Sequence, residues 1–201
     1  MEIKTEFGFF PWARATYLAQ IGEWDGVVAW TRQPAFENDF YYSDPVYEGK
    51  HVFFHLKSNP FDWNSIEDLE GMKVGGIISY EYSKDIRQGI EDGIIEMEYV
   101  SKEILNFRKL LAGRIDIFPE NIEVGYHILN ANFPPEVVKL FTHHPKPSRE
   151  LPYHLLLTRK RQDNERVMDL FNYGLKILRE SGKYDEYLSE FRQDLYLLED
   201  N

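Results

Sequence analysis

Short apolar runs alternate along this sequence with amphipathic stretches, and this alternation limits the folds open to the chain more than any other feature. The runs Lys73–Ile78 and Glu96–Val100 have the composition of strands, whereas Ser83–Ile94 repeats Ile at the four-residue spacing of a helix face. Strands that alternate with helices are typical of α/β layers, and we therefore predict an α/β fold whose sheets are largely parallel.

The same patterns predict the individual elements. The predicted strands are Ile3–Phe9, Val27–Trp30, Tyr41–Tyr42, His51–Lys57, Lys73–Ile78, Glu96–Val100, Ile115–Phe118, Val137–Phe141 and Tyr153–Thr158. The predicted helices are Pro11–Ile21, Ser65–Leu69, Ser83–Ile94, a helix that Ser101 caps and Gly113 ends, Ile122–Leu129, and two helices within Asn164–Leu198 that break near Ser181 and Gly182.

The charge of the chain excludes several kinds of partner. Its 201 residues include 23 Lys and Arg against 34 Asp and Glu, which gives a formal net charge of −11 at pH 7. Because contacts to phosphate depend on Lys and Arg, so acidic a chain is a poor binder of polyanions. We therefore expect neither nucleic acid nor an anionic membrane surface as a partner.

Missing motifs exclude several kinds of chemistry. The chain has no Cys, which excludes disulfides, thiolate metal sites and cysteine nucleophiles. Its 6 His show no metal-binding spacing, and the sequence has neither a glycine-rich phosphate loop nor a Gly-x-Ser-x-Gly elbow. We predict no catalytic residue, no metal and no cofactor. No apolar run approaches the ~18 residues of a membrane helix, and the start of the sequence has no secretory-signal pattern.

Tyr80, Glu81 and Tyr82 form the first candidate binding segment. They follow the predicted strand Lys73–Ile78 and precede a helix, and open α/β sheets bind ligands at such strand ends. The two tyrosines offer flat apolar faces with polar tips. The alternative is an ordinary strand-to-helix turn in which Ser83 caps the helix.

Glu120 and Asn121 form the second candidate segment. They place a carboxylate and an amide after the predicted strand Ile115–Phe118 and before another helix. This is the same strand-end position, where a polar ligand is expected. The alternative is that Asn121 only caps the helix that follows.

Trp30, Thr31 and Arg32 form the third candidate segment, at the end of the apolar run that begins at Val27. A Trp supplies contact area, and an Arg binds a carboxylate through two parallel hydrogen bonds, so the segment suits a small anion or zwitterion. The alternative is that Trp30 packs in the core and Arg32 is solvated.

Six short segments occur in the order in which they are found in a known family, and they cover nearly the whole chain. They are Phe10–Ala15, Gly22–Gly26, Phe40–Pro45, Ile66–Gly75, Leu111–Asp116, and Phe171–Leu175 with Gly182–Tyr184. Together they resemble the bacterial extracellular solute-binding proteins of family 3, which are the polar-amino-acid receptors of ABC importers.

The resemblance implies a periplasmic-binding-protein-like type II fold, in which two α/β lobes are joined by two crossing hinge strands. On this chain, lobe one corresponds to residues 1–50 plus 160–201, lobe two to 58–152, and the hinge strands to 51–57 and 153–159. Members of the family begin with a further strand and helix, so lobe one is expected to be incomplete on its N-terminal side.

The resemblance also implies a function. Such a protein is not an enzyme but a solute-binding protein, which clamps a small polar or zwitterionic, amino-acid-like ligand between its lobes and delivers it to an ABC permease of the inner membrane. We accordingly expect a periplasmic, monomeric protein, although the sequence as it stands shows no signal peptide.

Two positions depart from the family pattern. The Arg that binds the ligand carboxylate in the family falls near Phe36, and the ammonium-binding acid falls near Asn121. Arg32 and Glu120 are the candidates to replace these groups. The alternatives are a ligand-sensing or binding-incompetent relic of the family, or a dehydratase on the same fold with Glu120 or Glu81 as its acid.

Overall fold

The computed structural model of the chain describes residues 4–78 and 80–196. The strands are β1 (Gly26–Trp30), β2 (Phe40–Tyr42), β3 (Tyr47–Leu56), β4 (Lys73–Ile77), β5 (Glu96–Val100), β6 (Phe118–Asn121), β7 (Phe141–His143) and β8 (Arg149–Thr158). The α-helices are α1 (Trp12–Gln20), α2 (Lys84–Glu91), α3 (Glu103–Leu111), α4 (Ile122–Asn132), α5 (Pro135–Val138), α6 (Asn164–Glu180) and α7 (Lys183–Tyr196). Short 3-10 helices lie at Pro34–Phe36 and Ile66–Leu69.

These elements form two compact units. Unit 1 comprises the chain up to Glu48 together with Leu151–Asp185, and unit 2 comprises Gly49–Glu150 together with the chain from Glu186 onward. The chain therefore passes from one unit to the other within β3, within β8 and within α7.

Strand β8 organises unit 1. Both β1 and β2 pair antiparallel with it, so that Val27 and Tyr42 each have Leu156 as their partner. The buried side chains of Ala19, Val27, Phe40 and Leu156 form the core of this unit. Helix α1 packs on β1, and helix α6 packs on β2.

The strands of unit 2 combine parallel and antiparallel pairing. β4 and β5 are parallel, in a register that starts with Lys73 opposite Glu96. β3 runs antiparallel to both β6 and β7. A parallel bridge between Val74 and Ile117 connects β4 to the segment that leads into β6. This pairing brings the C-terminal end of β4 near β6, where two candidate segments lie.

Phe54 of β3 lies in the larger of the two cores of unit 2. It is fully buried, and its ring packs edge-on against Phe107 of α3 and Tyr126 of α4, with both centroid distances at 5.3 Å. Helix α4 comes this close because position 125 is Gly, where an added Cβ would lie 2.3 Å from the Phe54 ring. The neighbouring residue of β3, Phe53, lies on the opposite face of the strand, because successive side chains alternate between the faces. Phe53 accordingly belongs to the second core of unit 2.

The sheets are less parallel than the sequence pattern predicts. Among the pairings described, β4–β5 and the bridge at Val74 are parallel, whereas β1 and β2 with β8, and β6 and β7 with β3, are antiparallel. Alternation of strand and helix patterns predicts a crossover helix between successive strands, and therefore parallel pairing. The antiparallel partners are distant in sequence, as β8 is from β1 and β2, and local patterns do not specify such pairings.

Two predicted strands are wrong. Residues 4–9 form no regular structure, and Ile3 lies outside the described residues. The predicted strand Val137–Phe141 is replaced by helix α5 followed by β7. Pro135 at the first position of α5 explains the difference, because its fixed φ favours the start of a helix.

Two further elements are displaced from their predicted positions. β6 begins later than the predicted strand Ile115–Phe118, so that both candidate residues of this segment lie within the strand rather than after it. The capping position of α3 is Lys102 and not Ser101. The two C-terminal helices are confirmed as α6 and α7, and the predicted end of the second, at Leu198, lies outside the described residues.

Candidate functional site

Tyr82 closes the loop that follows β4. Its hydroxyl accepts a hydrogen bond from the backbone N–H of Ile77 at 2.7 Å, and its side chain is 9% exposed. Burial raises the pKa of Tyr82 to about 12. Ser83 caps α2 by accepting a hydrogen bond from the N–H of Ile86 at 3.3 Å, as the alternative interpretation of this segment expects. The side chain of Tyr82 therefore holds the loop in place.

Tyr80 remains partly exposed beside this loop. Its hydroxyl donates a hydrogen bond to Oε1 of Glu103, the first residue of α3, at 2.8 Å. Partial burial raises the pKa of Tyr80, and the nearby charges of Glu120 and Glu103 raise it further. The loop after β4 and the start of α3 thus bring phenolic and carboxylate groups together.

Glu120 is the most buried ionisable group of this cluster. It lies opposite Val52 in the β3–β6 ladder and is only 1% exposed. One carboxyl oxygen accepts a hydrogen bond from the N–H of Asn121 at 2.8 Å, and the other, Oε2, has no hydrogen-bond partner. Burial, with a further contribution from the charge of Glu103, raises the pKa of Glu120 to about 8. Its carboxyl group is therefore protonated at neutral pH.

The remaining candidates of unit 2 have different surroundings. Asn121 caps α4, since its Oδ1 accepts a hydrogen bond from the N–H of Val124 at 3.0 Å. Glu81 is exposed, and its backbone carbonyl accepts a hydrogen bond from Nη1 of Arg149 at 3.0 Å. Both observations agree with the structural alternatives for these two residues.

We call Tyr80, Tyr82, Glu103 and Glu120 the acidic group of unit 2. The sequence analysis names three of these residues and misses Glu103. A signal was available, because Glu103 begins the helix after β5 and so occupies the same kind of strand-end position as the others.

Asn106 supports the acidic group from one helical turn further along α3. It is fully buried, and its Nδ2 donates a hydrogen bond to the carbonyl of Gly76 at 3.0 Å. Position 75 must be Gly here, because an added Cβ would lie 2.7 Å from the Asn106 side-chain oxygen. Gly75 thus permits close packing of β4 against α3, whereas an added Cβ at Gly76 would meet Met97 of β5.

In unit 1 the candidate residues lie where β1 ends. The rings of Trp30 and Trp12 are 5.1 Å apart, and Ala29 adopts a left-handed conformation with φ 57° at a register shift of the strand. Thr31 is half-buried, and Arg32 is exposed with its guanidinium 5.0 Å from the centre of the Tyr42 ring.

Arg32 also borders a cavity of about 470 Å³ within unit 1. Arg159, which sequence reasoning missed, lines the same cavity and lies 4.1 Å from the centre of the Tyr41 ring. Its Nε donates a hydrogen bond to the carbonyl of Phe40 at 3.2 Å. The face of α6 adds Glu165, Met168, Asp169 and Asn172 to the lining. Trp30 and Thr31 are not among the lining residues.

Two further properties of the described part of the chain bear on function. Within residues 4–78 and 80–196, no helix is both long and apolar enough to cross a membrane. Over the same residues, no three His, Asp or Glu side chains are grouped so that they could hold a metal ion.

Comparison with known proteins finds similarity in structure. No protein-family model matches the chain, and no curated protein is similar to it in sequence. Substrate-binding domain 2 of GlnP from Lactococcus lactis, in its open conformation, aligns with a TM-score of 0.69 and 18% identity over 92% of this chain and 77% of that one. An ancestral arginine-binding protein bound to arginine aligns with a TM-score of 0.69 and 22% identity over 94% and 80% of the two chains. An ancestral cationic amino acid solute-binding protein aligns with a TM-score of 0.70 and 18% identity over 94% and 78%.

These alignments establish the fold. The chain has the mixed α/β fold of type II periplasmic binding proteins, and it is similar in structure to amino-acid solute-binding proteins of ABC transporters. The periplasmic-binding-protein-like type II α/β fold that the resemblance implies is thereby confirmed.

Proposed function

We propose that this chain is a solute-binding protein of the ABC-importer type, which binds a small polar or zwitterionic, amino-acid-like ligand. Residues 1–50 plus 160–201 would form lobe one and 58–152 lobe two, with hinge strands at 51–57 and 153–159. The observation that carries the proposal is the acidic group of unit 2, which presents a buried carboxyl oxygen without a partner at the strand ends where ligands of α/β proteins bind.

The proposed ligand contacts divide by charge. Glu120, with Tyr80 beside it, receives the positively charged group of the ligand. Arg32 receives a carboxylate, since its guanidinium is exposed and oriented by the Tyr42 ring. Thr31 adds a hydroxyl, and the Trp30 ring adds apolar area. Asn121 and Glu81 contribute indirectly. Asn121 caps α4, and the backbone carbonyl of Glu81 accepts a hydrogen bond from Arg149.

A thermal melt against a panel of polar amino acids, amines and small carboxylic acids tests the proposal. A ligand at 100 times its dissociation constant adds about 2.7 kcal/mol to the free energy of unfolding and visibly raises the melting temperature. We expect Arg32→Ala to lose the shift given by a carboxylate ligand. Arg87→Ala, which removes an exposed Arg of α2, serves as the matched control and keeps it.

The partner, location and alternative roles are part of the same proposal. We propose delivery to an ABC permease of the inner membrane, a periplasmic location and a monomeric state. If no compound of the panel shifts the melt, the binding-incompetent relic of the family becomes the better description. If a ligand raises the melting temperature but no permease accepts the ligand-bound chain, the ligand-sensing role is favoured.

A dehydratase is the second candidate, and one observation favours it. Glu120 is a buried acid that holds its proton at neutral pH, and such a group donates a proton to a leaving hydroxyl. One of the structural neighbours is described as a precursor of cyclohexadienyl dehydratase. Loss of water from a cyclohexadienyl acid, abolished in Glu120→Gln, would support this candidate. We expect no turnover from the wild-type chain.

A further inference from the structure

The proton of Glu120 has a consequence for ligand binding. We infer that a cationic ligand group binds beside Glu120 and Glu103 in exchange for the proton of Glu120, so that binding releases one proton and becomes tighter as the pH rises. This inference rests on the proposed solute-binding function and names the chemistry of its ligand: an ammonium or guanidinium group.

The surroundings of the Glu120 carboxyl group explain why it holds a proton in the unliganded chain. It is 1% exposed, and the N–H of Asn121 is the hydrogen-bond donor that the structure gives it. Its second oxygen, Oε2, has no partner. Burial of a carboxylate anion that has one hydrogen-bond donor is unfavourable in free energy, and the neutral acid is therefore the more stable form.

Among the groups that face Glu120 from neighbouring elements, the carboxylate of Glu103 adds negative charge, whereas the tyrosine hydroxyls are neutral. The loop after β4 supplies the hydroxyls of Tyr80 and Tyr82, and the start of α3 supplies the carboxylate of Glu103. The charge of Glu103 raises the pKa of Glu120.

The positive charges described on neighbouring elements act on other groups. Arg149 donates to the carbonyl of Glu81, and burial together with its charge lowers the pKa of His51 to about 4. His51 lies opposite Asn121 in the β3–β6 ladder and is therefore neutral at pH 7. On α4, Glu123 is 3.5 Å from Arg192, which partners that carboxylate. No described cation contributes to the pKa of Glu120.

A ligand cation changes this balance. Before binding, the group holds one carboxylate, Glu103, and one neutral acid, Glu120. An ammonium or guanidinium group placed beside both favours the ionised form of Glu120, as an opposite charge within ~4–6 Å does. The O–H bond of Glu120 breaks, the proton passes to solvent, and a carboxylate–cation pair replaces the neutral acid. Charge is conserved, because one positive charge enters and one leaves.

Calorimetry of the full chain in two buffers tests the exchange. L-Arginine and agmatine are the probes, since both carry a guanidinium and agmatine lacks a carboxylate. At pH about 6.5, the buffer takes up the released proton. The observed binding enthalpies in phosphate and in Tris should therefore differ by the difference between the ionisation enthalpies of the two buffers, multiplied by about one proton per bound probe. The apparent affinity should rise about tenfold per pH unit up to pH about 8 and then level off, as expected for one coupled proton.

Two variants locate the proton. Glu120→Gln should bind with equal enthalpy in both buffers and with no rise in affinity between pH 6 and 8, whereas the exposed Glu96→Gln should behave like the wild-type chain. Proton release that persists in Glu120→Gln overturns the inference. Should Glu120→Gln not fold, the wild-type titrations decide alone.

The outcomes separate the inference from the proposed function. A probe that binds without proton release overturns the inference and leaves the solute-binding function intact. So does a panel in which only neutral or anionic compounds bind. If no compound of the panel binds at any pH, the proposed function fails, and the inference fails with it.

Discussion

At the scale of single residues, the partners of buried polar atoms decide how the candidate site behaves. The backbone N–H of Ile77 has its acceptor in Tyr82, and the N–H of Val124 has its acceptor in Asn121. By contrast, Oε2 of Glu120 and Oδ1 of Asn106 are buried without a hydrogen-bond partner. The first two contacts stabilise the fold, whereas the unpartnered oxygen of Glu120 is the one that the proposed function assigns to the ligand.

Replacing Glu120 with Gln should change how stability depends on pH. The folded-state pKa of about 8 lies above the ordinary value of 4.5, so between these values the folded chain holds a proton that the unfolded chain has lost. The contribution of the Glu120 proton to the free energy of unfolding is therefore fully present below pH 4.5 and is lost as the pH rises to 8. Glu120→Gln removes this loss and should be more stable than the wild-type chain at pH 9. Urea unfolding at pH 5, 7 and 9 checks this, with Glu96→Gln as control; parallel curves for wild type and Glu120→Gln would contradict it.

The two tyrosines of the loop after β4 should differ in their effect on stability. Tyr82→Phe leaves the buried N–H of Ile77 without an acceptor, which costs about 1–3 kcal/mol. Tyr80→Phe breaks an exposed hydrogen bond to Glu103 and should cost less than about 1 kcal/mol. Chemical denaturation of both variants measures the difference, and equal losses would show that the Tyr82 hydroxyl does not hold the loop.

Sequence reasoning predicts which residues come together near β4 and β6, but it does not predict how each side chain is bound within the fold. The position after β4 is a local property, so Tyr80 and Tyr82 can be named from the pattern, whereas Glu120 lies within β6 and not after a strand at 115–118 as the pattern predicts. Whether a side chain turns inward to a backbone N–H, as that of Tyr82 does, depends on packing that a pattern does not contain. Arg159 is missed for the same reason, because its position at the cavity follows from the pairing of β2 with β8.

At the scale of elements, two helical glycines offer a matched comparison. A Cβ at Gly125 of α4 would lie 2.3 Å from the ring of fully buried Phe54, whereas a Cβ at Gly174 of α6 would meet nothing within 4 Å. Gly125→Ala should destabilise the chain by about 1–3 kcal/mol through overpacking. Gly174→Ala should stabilise it by about 0.5–1 kcal/mol, because Ala favours the helix.

Thermal melts of the two glycine variants measure these opposite shifts. A lower melting temperature for Gly174→Ala would indicate that α6 is covered at this position by something outside the described residues.

The elements that the sequence predicts well are those with a strong local signal. α6 and α7 have long one-faced apolar stripes and a glycine between them at position 182, where φ is 77°. Residues 4–9 and Val137–Phe141 also have apolar residues suited to strands, but no partner strand pairs with the first, and Pro135 starts a helix in the second. Strand pairing depends on distant residues and is therefore hidden from local pattern.

At the scale of the whole molecule, the net charge of −11 should make stability depend on salt. Like charges on a folded chain repel one another, and salt screens this repulsion. Raising sodium chloride from about 10 mM to about 100 mM shortens the Debye length from about 30 Å to about 10 Å. We therefore expect the melting temperature to rise over this range, which differential scanning calorimetry checks. A fall would mean that attractive ion pairs, such as Lys109 with Glu98, outweigh the repulsion.

The division of the chain into units also sets an order for events on the ribosome. Unit 1 consists of the residues up to Glu48 and of Leu151–Asp185, so its central strand β8 is synthesised long after β1 and β2. Translation of the roughly 100 residues between them takes on the order of 5–20 s at bacterial rates. During that time Val27 and Phe40 have no Leu156 to pack against, and the nascent chain exposes two strands that lack their pairing partner. Ribosome-bound chaperones should therefore associate with the first piece of unit 1 until β8 emerges.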